Sequence, residues 1–216
     1  MRRAWIGLTG VIGLALALAC TYAPWHTHST AAFTLNAFDL AEWTSLHPAV
    51  RASSPALLTS FLLRVPQLAL ILALTLHANY LGDARVRWLL RAAALLVALR
   101  FLPPREFFGS AASDPNFRQM MLLTGLGVGG VVAAILAEKL ARRWQGLLAA
   151  ALLALGIGAG WWGLARAHTL LDNFEIAVSV GVGAVGYTAF SALVALLGLS
   201  LLRRAETPGP VNKKGG

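Results

Sequence analysis

Charged residues are scarce in this chain. Aspartate, glutamate, lysine and arginine make up only 12% of its 216 residues, whereas 57% are hydrophobic and the mean hydropathy is +0.67. A water-soluble domain carries about 25% charged residues because its surface must be solvated. The composition therefore excludes a soluble globule and predicts a chain that lies in a lipid bilayer.

Cysteine and dedicated metal motifs are also nearly absent. Cys20 is the single cysteine, which excludes an intramolecular disulfide framework, and no histidine spacing matches HExxH. The formal net charge of +9 would suggest a nucleic-acid partner in a soluble protein. Here the basic residues lie at the ends of apolar runs, as membrane topology requires, so we expect no nucleic-acid partner.

Six long apolar runs divide the chain. They predict an all-α, polytopic membrane bundle that forms one domain over residues 1–206, followed by a flexible cytoplasmic tail over residues 207–216. The predicted spans lie near residues 4–21, 57–81, 87–103, 119–138, 145–165 and 175–202.

Basic residues alternate between the two sides of these spans. Most of them, including Arg2, Arg87 and Lys139, fall on the side that also holds both termini, whereas the acidic residues favour the other side. By the positive-inside rule, both termini are expected in the cytoplasm, and the protein in the inner membrane. The basic start, the first apolar run and Cys20 also resemble a secretory or lipoprotein signal, but Leu18 fits the usual lipobox order poorly. We therefore expect an uncleaved anchor helix.

A polar stretch after the first run predicts a short helix outside the cytoplasm, near residues 36–47. Asn36 followed by Asp39 is a capping arrangement, and Pro48 provides a stop. Apolar side chains lie around much of the predicted helix, whereas a helix lying on lipid should segregate its faces. We therefore expect contact with a partner subunit through three side chains: Phe38, Trp43 and Leu46.

Glycines are concentrated in the last three spans. Residues 125–130 and 181–186 match the dinucleotide-binding fingerprint letter for letter. That fingerprint works in a soluble βαβ unit, so we do not expect nucleotide binding within runs that span lipid. Small residues four positions apart instead let helix backbones approach closely. The predicted helix-packing positions are Gly125, Gly129, Gly156, Gly160 and Gly181.

Two polar residues, Arg64 and Gln67, interrupt the second span. A charge inside a transmembrane helix is costly, so a buried Arg64 would be a functional hypothesis. Alternatively, the hydrocarbon-facing part begins at Val65 and Arg64 reaches outward to the interface. The sequence leaves both interpretations open.

Histidines and acidic residues supply the remaining candidates. His77, near the inner end of the second span, could ligate a chlorophyll-type pigment, but no second transmembrane histidine is available for a bis-histidine haem. On the outer side, the spacing of His168, Asp172 and Glu175 places them on one helix face, where a zinc or acid–base site could form. The alternatives are a hydrogen-bonded buried histidine and ordinary solvated loops, and we expect no resident cofactor.

One short segment of the sequence resembles a known group of membrane proteins. Residues 35–43, LNAFDLAEW, run on to Leu46, His47 and Pro48. This phrase resembles small membrane proteins of filamentous anoxygenic phototrophic bacteria, in particular accessory membrane subunits of electron-transfer assemblies such as alternative complex III. The resemblance implies a quinol-oxidising assembly, with quinone or pigment nearby through the partners. It assigns no functional residue to this chain, because haem and iron–sulfur ligands belong to other subunits of such complexes.

Together these features predict a non-catalytic accessory subunit of a multisubunit membrane complex, with other membrane subunits and lipid as partners. One alternative is a small permease with Arg64 and Gln67 near the substrate path. That alternative predicts two similar halves, but the second half has no matching interruption. The other alternative is a membrane hydrolase that uses the outer histidines and carboxylates.

Overall fold

Apolar runs bounded by capping residues form the helices of this computed structural model. The structure describes residues 2–28, 34–173 and 176–205, with the backbone alone at residues 2–4, 6 and 201–205. The helices are α1 (Arg2–Tyr22), α2 (Ala37–Leu46), α3 (Pro48–Arg51), α4 (Leu58–Ala78), α5 (Ala84–Leu99), α6 (Pro115–Leu136), α7 (Arg142–Asp172) and α8 (Val182–Ala205). The short strands are β1 (Pro24–Thr27), β2 (Leu35–Asn36) and β3 (Ser179–Val180). Glu175 and the tail beyond residue 206 lie outside the described residues.

Four of the described helices are long and apolar enough to cross a membrane: α4, α6 with the turn that follows it, α7 and α8. The apolar part of α1, Gly7–Tyr22, is shorter. Helix α5 has only 16 residues and carries Arg85, Arg87 and Arg91. The fold is therefore that of a multi-pass, α-helical membrane protein.

The predicted outer helix near residues 36–47 is present as α2. The Asn36 side chain accepts hydrogen bonds from the backbone N–H groups of Phe38 and Asp39, both at 2.9 Å. This is the expected cap, and it satisfies donors that a helix start leaves without partners. The helix ends at Leu46, before Pro48 starts the single turn of α3.

The last two long helices differ from their predicted bounds. Helix α7 has 31 residues, a length of about 46 Å, and continues well beyond residue 165. Helix α8 begins at Val182 rather than near residue 175, because Ser179 and Val180 form strand β3. Hydropathy does not distinguish a short strand from a helix turn, so the small sheet was not predicted.

That sheet covers one end of the bundle, which we call the outer end because the charge pattern predicts it to lie outside the cytoplasm; the opposite end is called the inner end. Its strand order is β2-β1-β3, with β1 antiparallel to both neighbours. Within β1 the Trp25 side chain is buried, and its indole N–H donates to the Cys20 carbonyl at 3.1 Å. The Gly181 N–H donates to the Trp25 carbonyl at 2.9 Å, and a Cβ at Gly181 would collide with the Pro24 backbone. Gly181 therefore lies at a close backbone contact with β1, between β3 and α8, and its predicted role in packing one helix against another is wrong.

Helix α4 is the centre of the bundle. It contacts α1, α2, α5, α6 and α7, and 78% of its apolar segment is buried, against 33–44% in α6, α7 and α8. Helix α8 packs on α1 and α7 instead. Polar residues on α4 therefore face other parts of the protein, and this position buries Arg64 and Gln67.

Glycines on α7 bring that helix close to α4 and to the outer sheet. A Cβ at Gly160 would lie 3.0 Å from Pro66 Cγ and 3.1 Å from the Trp25 ring. At Gly156 it would lie 2.8 Å from Ala69 Cβ. These contacts match the predicted close approach of helix backbones.

On α6 the structure corrects the prediction. A Cβ at Gly125 or Gly129 would meet nothing within 4 Å, whereas Gly127 faces Ala98 and Gly130 faces Leu72. The inward face of α6 is therefore the one that carries Gly127 and Gly130. Several glycine pairs on one helix fit the spacing rule, and only the neighbouring helices show which pair is used.

Candidate functional site: buried polar clusters at the two ends of the bundle

Arg64 is buried on α4, with 1% of its surface exposed. Its Nη1 donates to Asn116 Oδ1 at 3.0 Å and to Gln119 Oε1 at 2.8 Å, and its Nη2 binds Glu42 Oε1 at 2.6 Å. Of the two interpretations that the sequence leaves open, the structure has the buried one. The guanidinium joins α4 to α2 and α6, because each partner comes from one of those two helices.

The partners of Arg64 are themselves held by local structure. Asn116 and Gln119 lie in the first turns of α6, where the Asp114 side chain accepts from the backbone N–H of Asn116 at 2.8 Å. The Gln119 amide donates to the Leu57 carbonyl at 3.2 Å, just before α4 begins. Local hydrogen bonds therefore hold the acceptors around the arginine in place independently of Arg64 itself.

A second ion pair lies beside this cluster. Arg51, at the end of α3, binds the Asp114 carboxylate at 2.7 Å. Partial burial by itself would raise the pKa of Asp114, but the hydrogen bonds from Arg51 and from two backbone N–H groups outweigh it. The pKa of Asp114 is therefore below its ordinary value.

Gln67 lies one turn further into the bundle and contacts α1. Its amide donates to Thr21 Oγ1 at 3.3 Å, and that hydroxyl donates to the Leu18 carbonyl at 2.7 Å. Both side chains are buried. Gln67 thus joins α4 to α1.

The inner end of the bundle carries a second buried arginine that sequence reasoning missed. Arg91 Nη2 donates to Asn79 Oδ1 and to Glu138 Oε2, both at 2.8 Å. Arg87 binds the other Glu138 oxygen at 2.5 Å, and the Asn79 amide donates to Gln145 Oε1 at 3.2 Å. The sequence analysis gives the basic residues on this side no role beyond the positive-inside pattern. The available signal was Glu138, an acidic residue on a predominantly basic side.

Tyr80 closes the inner end next to this network. Its hydroxyl donates to the Arg142 carbonyl at 2.7 Å. Burial raises the pKa of Tyr80 to about 12, although the nearby Arg142 charge lowers it. The tyrosine is therefore a neutral donor that joins the loop after α4 to the start of α7.

His77 is not placed to hold a pigment. The side chain is buried, and its Nδ1 lies 2.9 Å from the Ala73 carbonyl, which requires the hydrogen on Nδ1. On the other side of the ring, a Cβ at Gly10 would lie 3.1 Å from Nε2. The backbone of α1 thus occupies the space that a pigment ring would need, and the structure corrects this candidate.

The predicted outer group of His168, Asp172 and Glu175 is only partly described, since Glu175 lies outside the described residues. Within the described ranges, no group of three or more histidine, cysteine or acidic side chains is arranged to hold a metal. His168 instead packs against His26 of β1, with ring centroids 4.3 Å apart. Sequence spacing could not pair these two histidines, because 142 positions separate them along the chain.

The proposed interface residues on α2 differ in exposure. Phe38 is half-buried, with the Arg100 guanidinium 4.9 Å from its ring centre, and Trp43 is half-buried near His47. Leu46 is 70% exposed. This chain itself covers much of Phe38 and Trp43, so Leu46 presents the largest apolar surface of the three.

No protein-family model, curated protein or solved structure matches this chain. The helices and their burial therefore define its class, a multi-pass α-helical membrane protein with a polar cluster at each end of the bundle.

Proposed function

We propose that this chain is a six-span, non-catalytic accessory subunit of a multisubunit complex in the inner membrane. The observation that supports this most is the use of its buried charges. Arg64 and Arg91 each bind side chains from other segments of the same chain. A buried charge in a membrane protein serves either a substrate path or internal pairing, and these contacts favour pairing.

Contacts at the two ends of the helices support four of the six proposed spans, and the cytoplasmic position of both termini rests on the positive-inside charge pattern. At one end, Arg166 of α7 donates to Thr59 at the start of α4 at 3.1 Å, on the same side as the pair of Arg51 with Asp114. At the other end, the start of α5 binds Glu138, which follows α6. These contacts support a chain that runs from one end of the bundle to the other along each of α4, α5, α6 and α7, as four of the six proposed spans require.

Helix α5 would be the shortest of these spans. Its 16 residues extend about 24 Å, against a hydrocarbon thickness of about 30 Å. Arg85 near its start and Arg100 just after its end can extend their charged groups to the two interfaces. A short helix with arginines at both ends can thus still cross the bilayer.

A pair of reporter fusions tests this topology. A reporter that is active only outside the cytoplasm should give signal when fused after Gly109 and none when fused after Gly216. Signal at Gly216, or its absence at Gly109, would contradict the arrangement.

Helix α2 is the proposed docking element. One side of it is buried on the bundle through Leu40, Ala41 and Thr44, and the Glu42–Arg64 pair holds it in place. Leu46 then projects from a helix whose position is already set, so a partner need not order it on binding. This preorganisation favours a protein-docking role over an acid–base role for the outer side.

The proposed partner complex is a quinol-oxidising electron-transfer assembly. Support for this context comes from the resemblance of residues 35–48, which contain the whole of α2, including Leu46. In this arrangement the partners hold any haem, quinone or pigment, and this chain supplies membrane contacts.

Copurification from native membranes tests the role. Tagged wild-type protein should bring down other membrane subunits with a haem absorption spectrum, and Leu46→Asp should reduce their recovery several-fold. Phe108→Asp is the matched control, because Phe108 is similarly exposed (65%) in a different outer loop. Equal recovery with Leu46→Asp and wild type would contradict docking through α2, and partners without haem would contradict the electron-transfer context.

A further inference from the structure

An apolar groove lies between α1, α4 and α5. Both α1 and α5 pack on α4 but make little contact with each other, so α4 forms the floor of the groove and the other two helices form its walls. The groove has a volume of about 200 Å³ and opens at the surface of the bundle, where Ala15 on its rim is exposed. Only apolar side chains line it, among them Val11, Leu18, Leu70, Leu74, Leu90 and Val97.

The lining and the shape of this groove suit a hydrocarbon chain. The lining follows α1 from Val11 to Leu18 and α5 from Leu90 to Val97, which is about 10 Å along each helix. An apolar cavity of about 150 Å³ already stays free of water and takes up apolar molecules. We therefore expect the groove to hold part of an acyl chain rather than water.

A positive charge lies at the outer end of the groove. Tyr22 follows Leu18 by four residues on α1, and Arg100 follows Val97 by three and keeps helical backbone angles just after α5 ends. Both residues therefore lie one turn beyond the lining, on the same helix faces. The Arg100 guanidinium donates to the Tyr22 hydroxyl and lies 4.9 Å from the ring centres of Tyr22 and Phe38. The contact between Arg100 and Tyr22 thus joins the two walls at this end.

The charge of Arg100 has no acidic partner within the described part of the chain. In contrast, Arg87 and Arg91 near the inner end of α5 share Glu138. A guanidinium binds phosphate through two parallel hydrogen bonds and also stacks on aromatic rings. Arg100 can therefore bind a phosphate group while the neighbouring rings hold its guanidinium in place.

We propose that this groove binds one acyl chain of an anionic phospholipid of the outer leaflet, whose phosphate is held by Arg100. The apolar lining selects the chain, and the charge of Arg100 selects the anionic headgroup. The two features lie one turn apart along α1 and α5, in the order in which a phospholipid presents its headgroup and chain to a membrane protein. The bound chain fills the gap between α1 and α5. This inference is independent of the docking role proposed for α2.

Lipid titration of the whole chain tests the headgroup part of this proposal. Delipidated protein in one detergent is mixed with phosphatidylglycerol, phosphatidylcholine or diacylglycerol that carry the same acyl chains, and bound lipid is counted by native mass spectrometry. One phosphatidylglycerol per chain should bind more tightly than either of the others, because phosphatidylcholine has no net charge and diacylglycerol has no phosphate.

Variants of the arginine test whether Arg100 supplies this preference. Arg100→Gln should weaken phosphatidylglycerol binding by about tenfold, because charge-assisted hydrogen bonds to the phosphate are lost, and Arg100→Lys should give an intermediate affinity. Arg85→Gln is the matched control, since Arg85 is an exposed arginine near the other end of α5 and its variant should bind as wild type does. Equal binding of phosphatidylglycerol and diacylglycerol, or unchanged binding in Arg100→Gln, would overturn phosphate recognition.

Filling the groove tests where the chain lies. Ala93→Phe on α5 and Ala15→Phe on the α1 rim place a ring in the groove and should each remove the single tight binding event. Ala92→Phe is the matched control, because Ala92 is the exposed neighbour of Ala93 and does not line the groove. Unchanged binding in both filling variants would overturn the groove as the site of the chain. Displacement of phosphatidylglycerol by an equal amount of a polyprenyl quinone would overturn the phospholipid as its occupant.

Discussion

The two ends of the bundle hold their buried arginines by different means. At the outer end, Arg64 has a single carboxylate partner, Glu42, which belongs to the short helix α2. At the inner end, Arg91 shares Glu138 with Arg87 and also binds the Asn79 side chain. Within the described residues, each buried arginine thus has one carboxylate partner, but Glu42 binds Arg64 alone, whereas Glu138 binds two arginines.

Both buried arginines should be sensitive to the loss of their carboxylate. Removing one partner of a buried ion pair leaves an uncompensated charge and costs about 3–5 kcal/mol, whereas an exposed ion pair contributes at most about 1 kcal/mol. Arg64 and Arg91 have 1% and 5% of their side chains exposed, and their partners Glu42 and Glu138 have 35% and 37%. Burial of the two pairs is therefore similar, and the size of each effect should depend on whether the substituted residue can still accept a hydrogen bond.

The largest expected effect is that of Glu42→Ala. It leaves the buried Arg64 with only neutral acceptors and should destabilise the protein by about 3 kcal/mol, the lower end of the range for a broken buried pair. Thermal unfolding in detergent measures the loss. Glu106→Ala is the control, because Glu106 is an exposed acid on the same side of the membrane.

A double variant sharpens this result. Glu42→Ala with Arg64→Met removes both charges and should regain much of the stability that Glu42→Ala loses, because no unpaired charge remains. If the double variant is less stable than Glu42→Ala, the loss comes from packing of α2 and the electrostatic explanation is wrong.

The second effect concerns packing near the outer cluster. Gly160→Leu forces a side chain against Pro66 and Trp25, and such overfilling costs about 1–3 kcal/mol. Gly129→Leu is the matched control on α6, where an added Cβ meets nothing within 4 Å, so its thermal stability should equal that of wild type. Equal stability of the two variants would contradict the packing described for α7.

A smaller effect is expected at the inner end. Glu138→Gln removes the charge that Arg87 and Arg91 share, but Arg91 keeps Asn79 and Arg87 is partly exposed to solvent. The expected loss is about 2 kcal/mol, below that of Glu42→Ala, because the glutamine oxygen can still accept a hydrogen bond from the buried Arg91, whereas alanine offers no acceptor. If unfolding measurements show that Glu138→Gln loses more stability than Glu42→Ala, the inner end is the more sensitive of the two and this prediction is wrong.

The smallest effect depends on pH. The folded-state pKa of Asp114 is lowered, so its carboxylate stabilises the fold above its ordinary pKa of about 3.9 and loses that contribution as the pH falls through the folded value. Asp114→Asn keeps the helix cap but removes the pair with Arg51. The variant should melt slightly below wild type at neutral pH, and the difference should vanish in acid. A difference that persists in acid would contradict the ion-pair explanation.

The helices of this fold could largely be predicted, whereas the contacts around the candidate site could not. Hydropathy located the long helices, and the Asn36 cap located α2, because both signals are local. Arg64 was recognised as a candidate, but its partners Glu42 and Asn116 lie 22 and 52 positions away in sequence. Spacing rules relate residues on one element and do not reach partners on another.

The sequence by itself determined that the chain is helical and suited to a membrane, because these properties follow from composition and from runs of apolar residues. Only the tertiary structure decided that Arg64 is buried, that Gly127 rather than Gly129 faces the bundle, and that His26 meets His168. The physical reason is that every face of a membrane-spanning helix can be apolar. The alternation of apolar and polar residues that marks the buried face of a soluble helix is therefore weak here. Packing between helices determines which face is buried.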